Sequence, residues 1–412
     1  MLHEWVYHVG DISEQAIRVP SAVAAIALVP AVAWLAWLLA GRAAALVAGL
    51  LVVASPLALQ YAQQARPYAM VMLTGTLAVA LALTADRAPR RRLAWLAASA
   101  ALAVCALWLH YTAVFVVAPL CVWVATRPWA AGRARAAYIA TCALAWVVWL
   151  PLARDQIRIE GGGGIPGAEL TWRNLVKLLG TPFDGRDYRH GVTVVHVLAA
   201  VLTVAAVVAV AAWAGARLRD RGLLVALAAA LPLGLIVLAI FGKHVAITRY
   251  SAAAMPFMVV AIAAVATSLP RRAAASGACA LALGLALAGT VASHGSSGQN
   301  ADFRSLMATV AASARPGDVV VSGQGIGLTT ITYYAQRHRL LQRHVELVDG
   351  GSNQPAFAAA VRRRARIWAV SDEPGPRSAA AGTLAQIGYR ALVVRTFAAN
   401  VSLQVVLAAP SG

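Results

Sequence analysis

The residues best suited to chemistry lie in one short polar stretch, Tyr61-Ala-Gln-Gln-Ala-Arg66-Pro67-Tyr68. An arginine guanidinium can bind two oxygens of a phosphate at once, and a tyrosine hydroxyl adds a further donor. The stretch separates two apolar runs, 43–59 and 67–85, each long enough to cross a bilayer as a helix. Arg66 and Tyr68 are therefore expected at a membrane surface, where they suit a lipid-linked phosphate better than a soluble substrate.

The same stretch has a purely structural interpretation. Arg66 could extend its guanidinium to the lipid headgroups, and Pro67 could simply occupy the first turn of the following helix, where proline is tolerated. The two interpretations agree on a position at one face of the membrane. They differ in whether Arg66 binds a ligand.

The composition identifies the chain as a polytopic membrane protein. Of its 412 residues, 60% are hydrophobic and 12% are charged, and the mean hydropathy is +0.70. A soluble chain of that composition could not cover its core with polar surface. The formal net charge of +19 would suggest nucleic acid in a soluble protein. Here many arginines lie in short loops beside apolar runs, as membrane topology requires, so we expect no nucleic-acid partner.

Apolar windows of bilayer-spanning length predict about ten transmembrane helices, and hence a polytopic α-helical fold. They cover approximately residues 20–40, 43–60, 67–85, 92–109, 112–126, 136–153, 191–214, 223–241, 251–268 and 273–292. The window at 112–126 is short and depends on its neighbours for the assignment.

The connections between these windows alternate in charge. The arginine-bearing set contains Arg42, Arg87, Arg90, Arg91, Arg92, Arg127, Arg133, Arg135, Arg217, Arg219, Arg221, Arg271 and Arg272. The positive-inside rule places that set in the cytoplasm. We therefore expect a multi-pass protein of the cell (plasma) membrane. By parity the N-terminus, the loop 154–190 and everything after residue 293 lie outside the cell.

Two regions lack the apolar composition of a membrane-spanning segment. The external loop 154–190 contains a glycine run and a charged cluster, Asp184-Gly-Arg-Asp187-Tyr-Arg-His190, which is more typical of a solvated loop than of a cation site. After a Ser/Gly linker, residues 300–412 predict a small α/β domain, so the expected domains are 1–293 and 300–412. Its predicted elements are a helix at 303–314 and strands at 318–322, 366–371 and 391–396.

A glycine-rich segment, Gly323-Gln-Gly325-Ile-Gly327, follows the first predicted strand of that domain. Leu328 stands where the dinucleotide-binding fingerprint requires glycine. We therefore interpret the segment as a turn, and no nucleotide cofactor is expected.

The turn ending in Arg66-Pro67-Tyr68 resembles the Glu-Ala-Arg-Pro-Tyr signature of polytopic GT-C glycosyltransferases. These are the relatives of protein O-mannosyltransferases and lipid A aminoarabinose transferases, similar to glycosyltransferase family 39. Further resemblances follow in the same order along essentially the whole chain. They are Gly10-Asp11 with Pro20-Ser21, Leu109-His110-Tyr111, Arg249-Tyr250 with Met255-Pro256, and the C-terminal α/β domain.

The resemblance implies an enzyme that transfers a sugar from a polyprenyl-phosphate-linked donor, with inversion, at the outer face of the membrane. The sugar would be mannose or another hexose or pentose, and the acceptor a protein, lipid or polysaccharide of the cell envelope. Four residues on the external side could converge on the donor phosphate, namely Arg66, Tyr68, Lys243 and Arg249. The expected substrate pocket contains Gln64, His110, Tyr111 and Tyr250.

These residues have structural alternatives as well. His110 and Tyr111 also suit an interfacial aromatic belt, and Lys243 and Arg249 are individually ordinary loop residues. Gln64 departs from the family, which usually has glutamate there, so any role of that carboxylate is lost.

The catalytic carboxylate, which would take the proton of the acceptor hydroxyl, is not evident. The family begins with one more helix and an external loop that bears an acidic residue, usually aspartate. The present sequence resembles the family from about His3-Glu4 onward, so that acid is expected upstream of Met1. Glu4, Asp11 and Glu14 are minor candidates within the chain. A divalent cation assisting departure of the phosphate is compatible with the chemistry, but the sequence shows no convincing ligand set for it, so no metal site is expected.

Two other functions remain open at the level of sequence. The absent acidic loop motivates a non-catalytic member of the same fold that binds lipid-linked glycan or acts as a scaffold. A transporter is the third candidate, but it would favour charged or broken helices at the bilayer midplane and internal repeats.

Overall fold

The protein is described by a computed structural model, in which the chain divides into two compact units. They are Met1–Ser293, here the membrane unit, and His294–Gly412, here the C-terminal unit. The residues described are 14–128, 132–159, 169–183, 192–212, 220–241, 243, 248–294, 302–322, 328–349, 354–371, 384–397 and 403–410.

The described part of the membrane unit is helical. Its α-helices are α1 (Glu14–Ala40), α2 (Arg42–Ala54), α3 (Pro56–Ala62), α4 (Tyr68–Arg87), α5 (Arg92–Leu109), α6 (Val114–Ala125), α7 (Gly132–Ile159), α8 (Trp172–Leu179), α9 (Val194–Ala212), α10 (Arg221–Ile240), α11 (Thr248–Ser251), α12 (Met255–Ser268) and α13 (Arg272–His294). Short 3₁₀ turns join some of them, at Pro89–Arg91, Tyr111–Ala113, Thr181–Phe183 and Ala252–Ala254.

The polytopic helical class predicted from the sequence is confirmed, with a refinement of the number of spans. Among the described residues, eight helical segments are long and apolar enough to cross a membrane, or nine if the bent pair α2 and α3 counts as one span. The predicted window at 112–126 corresponds to a shorter apolar helix, Tyr111–Ala125. Every apolar window predicted from the sequence is therefore helical, but 43–60 is divided into two bent helices and 112–126 is too short to count as a span by itself.

The bend between α2 and α3 has an identifiable chemical cause. The two helices meet at 58°, where Ser55 is extended and caps α3 by accepting a hydrogen bond from the Ala58 N–H at 3.3 Å. Pro56 has no N–H to continue the α2 ladder and so starts a new helix. The Ser55 hydroxyl also donates to the carbonyl of Pro182 at 2.7 Å, which ties the bend to the 3₁₀ turn at Thr181–Phe183. This bend aims α3 towards the polar stretch at Gln63–Pro67.

Two segments form the centre of the membrane unit. In α4 and in Thr248–Ser268, 78% and 83% of the apolar window is buried, compared with 22% in α7 and in α13. Gly234 in α10 allows close packing, because a Cβ built there would lie 2.1 Å from Cε1 of Phe115. The polar stretch before α4 and the short helix α11 thus adjoin the two most enclosed segments.

The C-terminal unit is an α/β domain. Its elements are α14 (Phe303–Ser313), β1 (Val319–Ser322), α15 (Leu328–Arg337), β2 (Glu346–Asp349), α16 (Gln354–Arg362), β3 (Ile367–Ser371), β4 (Tyr389–Phe397) and β5 (Leu403–Pro410). The sheet has the order β2-β1-β3-β5-β4, in which β2, β1 and β3 are parallel and β5 runs antiparallel to both β3 and β4.

Alternate residues of the strands bury two separate cores, one on each face of this sheet. Val320, Trp368 and Val405 pack with α14 and α15 on one face, and Val321, Ala369 and Val406 pack with α16 on the other. The helix and the three strands predicted for this region are present, and β2 and β5 are additional. The sequence analysis missed β5 because the strand is an almost continuous apolar run, with Gln404 as its one polar residue, and lacks the alternation of a half-buried strand.

A second difference concerns the predicted external loop. Helix α7 extends through Ile159, and α8 and a 3₁₀ turn lie within 154–190. Thr171 caps α8 by accepting from the Asn174 N–H at 3.2 Å. Asp184, Asp187 and His190 lie outside the described residues, as does the glycine-rich segment 323–327.

Candidate functional site

The Arg66 stretch is a tight turn fixed by backbone hydrogen bonds. The Arg66 N–H donates to the Gln64 carbonyl at 2.8 Å, and the Arg66 carbonyl accepts from the Ser21 hydroxyl of α1 at 3.1 Å. Pro67 then caps α4. The Arg66 side chain is exposed, and its guanidinium forms no hydrogen bond or ion pair with the described residues. The turn therefore presents a cation that no described residue neutralises.

Aromatic rings gather around the end of this turn, and we call them the aromatic cluster. Its members are Tyr61, Tyr68, His110, Tyr111, Trp149 and Tyr250. Ring centroids are 4.6 Å apart for Tyr61 and Tyr68, and 5.1 Å apart for Tyr68 and His110. His110 lies 4.4 Å from Tyr111 and 6.0 Å from Tyr250, and Tyr111 lies 5.7 Å from Tyr250. Tyr111 is also 6.0 Å from Trp149 of α7. Five helical segments thus meet at one largely buried group of rings.

His110 sits between α5 and the following 3₁₀ turn, where it acts as a cap. Its Nδ1 lies 3.3 Å from the Thr112 N–H and 2.8 Å from the Thr112 hydroxyl. A backbone N–H can only donate, so Nδ1 is the acceptor, and a neutral His110 carries its proton on Nε2. Burial, and to a smaller extent the positive charge of Arg249, together lower the pKa of His110 from 6.5 to about 4. At neutral pH this side chain is a hydrogen-bond donor without charge.

Arg249 supplies the charge nearest to the cluster. It lies in the short helix α11 with its Cζ 5.4 Å from the ring centroid of Tyr250. Tyr250 is buried. This helix is hydrogen-bonded to the 3₁₀ turn at Thr181–Phe183, because the hydroxyls of Thr181 and Ser251 are 2.5 Å apart. Arg249 and Tyr250 are therefore held in place from two directions.

The structure places the other sequence candidates differently. Gln64 is half-buried, and its Oε1 is buried with no hydrogen-bond partner. Lys243 is exposed, and its backbone N–H donates to the Leu238 carbonyl at 3.0 Å. Glu4 and Asp11 lie outside the described residues. The structure thus brings together Tyr68, His110, Tyr111, Arg249 and Tyr250.

Sequence reasoning overlooked Lys177. This lysine of α8 is 2% exposed, and α8 packs against α11, which carries Arg249 and Tyr250. A buried ammonium must be paired or hydrogen-bonded. The packing of α8 therefore fixes where the Lys177 ammonium lies. The rarity of lysine in this sequence was a usable signal, since Lys177 and Lys243 are the two lysines among 35 basic residues. Tyr61 and Trp149 were missed because an aromatic residue near a span end is ordinary.

At the opposite ends of the helices the arginines make local structural contacts. Arg87 donates to the Leu38 carbonyl, and Arg127 pairs with Asp220 while lying 4.2 Å from the Trp123 ring centroid. Arg135 donates to the carbonyl of Ala125 at 3.2 Å. These contacts connect neighbouring helices. They leave Arg66 and Arg249 as the cations beside the aromatic cluster.

The described residues contain no group of three or more His, Cys, Asp or Glu side chains arranged to hold a metal ion. The cations, hydroxyls and neutral imidazole of the site instead suit an anionic ligand that also presents hydroxyl groups. Guanidinium groups bind phosphate oxygens, and tyrosine rings can stack against a sugar or shield it from water.

Comparison with known proteins locates the fold. No protein-family model matches the sequence, and no curated protein matches it either. Two solved structures of ArnT from Cupriavidus metallidurans are similar to it. The structure bound to undecaprenyl phosphate matches with a TM-score of 0.50 and 15% identity, over 95% of this chain and 84% of that one. The apo structure matches with a TM-score of 0.40 and 15% identity, over 95% and 83%.

At that identity the likeness to the lipid-bound ArnT structure concerns the fold, and it extends over nearly the whole chain. It agrees with the multiple apolar helices and the C-terminal sheet described above. The chain is therefore a multi-pass membrane protein with the fold of the ArnT structure.

Proposed function

We propose that this protein transfers a sugar from a polyprenyl-phosphate-linked donor to a cell-envelope acceptor at the outer face of the membrane. The observation that carries the proposal is the meeting of Arg249, His110, Tyr68 and Tyr250 next to the Arg66 turn. The fold supports it, because the ArnT structure of the same fold holds undecaprenyl phosphate. The identities of the sugar and acceptor are not part of the proposal.

The chemistry follows from the charges of the site. Transfer breaks the bond between the anomeric carbon and the phosphate oxygen and forms a bond from that carbon to the acceptor oxygen. The phosphate leaves with increased negative charge, which Arg66 and Arg249 would stabilise through charge-assisted hydrogen bonds. Attack from the face opposite the leaving phosphate would invert the anomeric carbon.

His110 has a defined part in this proposal. Its Nε2–H makes no hydrogen bond with the described residues, so it is available to donate to a phosphate or hydroxyl oxygen. Because Nδ1 is engaged with Thr112, neither nitrogen can take the acceptor proton at neutral pH. His110 would therefore orient the substrate, and the proton would go to a carboxylate.

The orientation in the membrane follows from the positions of the turns. The turns before α4, after α5 and before α12 carry Arg66, His110 and Arg249, and helices that alternate in direction put these three turns on one side. The arginine-bearing connections at Arg42, Arg87–Arg92 and Arg127 belong to the other side. We propose that the first side is extracytoplasmic, together with the C-terminal unit.

The test is transfer by the full chain in proteoliposomes. Undecaprenyl-phosphate-linked mannose, another hexose and a pentose would be supplied as donors, with cell-envelope extract as acceptor. We expect transfer from one donor and its loss in Arg66→Ala. Unchanged transfer by Arg66→Ala would remove the assigned site, and absence of transfer from every donor would contradict the proposed reaction.

Binding of undecaprenyl phosphate, measured on the same preparations, separates a binder from an enzyme. Tight binding without transfer would support a non-catalytic member that binds lipid-linked glycan. Lys177→Met tests whether the buried ammonium shares in phosphate binding. It should weaken the affinity for undecaprenyl phosphate more than the affinity for undecaprenol, which lacks the phosphate.

A further inference from the structure

A row of neutral polar side chains crosses the sheet of the C-terminal unit at the carboxyl end of β3. Ser371, the last residue of β3, pairs with Gln404 of β5, and Gln404 pairs with Thr396 of β4. The next row on the same face, Ala369, Val406 and Val394, is apolar. The polar row therefore marks a change in chemistry at one end of this face.

Gln404 is the unusual member of the row. It is 2% exposed, and its Oε1 is a buried atom that has no hydrogen-bond partner. A buried acceptor left without a donor has lost its hydrogen bonds to water and gained none in return, which destabilises the fold. Apolar residues fill the equivalent positions farther along β5, where Val406 and Ala408 belong to the core beneath α16. A glutamine at this position is therefore costly unless a donor from outside the domain reaches it.

The topology places this row next to the part of the sheet where ligands bind in open α/β folds. The connection that leaves β1 leads through α15 to β2 on one side, and the connection that leaves β3 leads to β4 on the other side. The strand order thus reverses between β1 and β3. The crevice at the carboxyl ends of strands beside such a reversal is the general ligand position of doubly wound sheets.

We propose that Gln404, Ser371 and Thr396 form a binding site for a neutral saccharide in the C-terminal unit. Gln404 and Thr396 offer an amide and a hydroxyl group, and the row carries no charge, which suits sugar hydroxyls and does not suit a phosphate. The neighbouring Val394 is 49% exposed and provides an apolar surface for the C–H groups of a pyranose ring. A sugar hydroxyl would donate to Gln404 Oε1 and so satisfy the acceptor that the fold leaves unpaired.

This site is distinct from the arginine-containing site of the membrane unit and does not depend on its function. The test uses the full chain in detergent and saturation-transfer NMR on free methyl α-mannopyranoside, methyl β-glucopyranoside, methyl β-galactopyranoside and N-acetylglucosamine. We expect a signal from at least one of these, and a loss of about tenfold in affinity in Gln404→Leu.

The matched control is Gln336→Leu, which makes the same substitution at an exposed position of α15 and should bind as the wild type does. Thr396→Val changes an exposed residue and should weaken binding without affecting folding, so a failure of Gln404→Leu to fold does not end the test. The proposal is overturned if none of the four sugars gives a signal, or if the signal persists in both Gln404→Leu and Thr396→Val.

Discussion

The membrane unit and the C-terminal unit each place polar side chains where helices or strands end, but the two sets differ in charge. In the membrane unit, Arg66 and Arg249 flank a cluster of aromatic rings and a neutral histidine. In the C-terminal unit, Gln404 lies in a row without charge above an apolar surface. The first set suits an anion carried by a lipid and the second suits hydroxyl groups. On the two proposals above, the membrane unit would bind a lipid-linked phosphate and the C-terminal unit a neutral saccharide.

The largest expected effect comes from removing the charge of Arg249. Arg249→Ala should reduce transfer by about 10²–10³-fold, because the leaving phosphate loses a preorganised donor. Arg249→Lys should recover part of this activity, since it restores the charge without the planar fork. The measurement is the initial rate in proteoliposomes.

Arg90→Ala is the matched control, because Arg90 is exposed and lies in the 3₁₀ turn at the other end of α4. It should leave the rate unchanged. Equal losses in Arg249→Ala and Arg90→Ala would mean that overall charge, and not the site, controls activity.

The second prediction concerns pH and the neutral state of His110. The folded protein protonates His110 near pH 4 and the unfolded chain near 6.5. The associated stability is therefore complete above pH 6.5 and decreases as the pH falls towards 4, by about 3 kcal/mol at most. The thermal midpoint of the full chain in detergent, measured between these values, should fall accordingly.

His110→Asn keeps an acceptor that can cap the Thr112 N–H but does not titrate in this range. Its thermal midpoint should depend less on pH than that of the wild type. An identical pH dependence in the two proteins would show that His110 is not responsible for it.

The third prediction tests the interior of the C-terminal unit. Asp318 is 3% exposed and accepts hydrogen bonds from the Arg315 N–H at 2.9 Å, from Arg366 at 3.2 Å and from the Trp368 indole at 2.9 Å. Asp318→Ala leaves these donors without their acceptor and should cost about 2–3 kcal/mol. Limited proteolysis of the full chain would report the loss as faster cleavage after residue 300.

Asp302→Ala is the comparison variant, because Asp302 caps α14 at an exposed position by accepting from the Ser305 N–H at 3.0 Å. Its loss should cost about 1 kcal/mol. A smaller effect from Asp318→Ala than from Asp302→Ala would contradict the structural role of the buried carboxylate.

The smallest expected effect is a gain in stability. Gln404→Leu removes a buried acceptor that has no donor, so without sugar it should stabilise the C-terminal unit by about 1 kcal/mol. The same proteolysis assay would show slower cleavage. Faster cleavage would indicate that Gln404 already has a structural partner, which would weaken the comparison between the two units.

The sequence predicted the architecture well because its signals are local. The apolar windows coincide with helical segments, and Gly41 lies where the first predicted window ends and the second begins. The break at Ser55-Pro56 was not predicted, since 43–60 was expected to form one helix. The prediction was less accurate for 112–126 and for 154–190. The length of the window 112–126 does not show that a 3₁₀ turn at Tyr111–Ala113 precedes α6. In 154–190 the polar, loop-like composition concealed the amphipathic helix α8.

The sequence by itself determined that the chain is a polytopic membrane protein, that a C-terminal α/β domain follows, and that Arg66 and Tyr68 lie in a turn between spans. These follow from hydrophobicity, charge and turn chemistry, which act over a few residues. Tertiary structure alone decided that His110 lies beside both Tyr68 and Tyr250, and that Lys177 and Gln404 are buried. Those facts depend on how distant segments pack, and no local pattern records which side chains packing will bring within a few ångströms of each other.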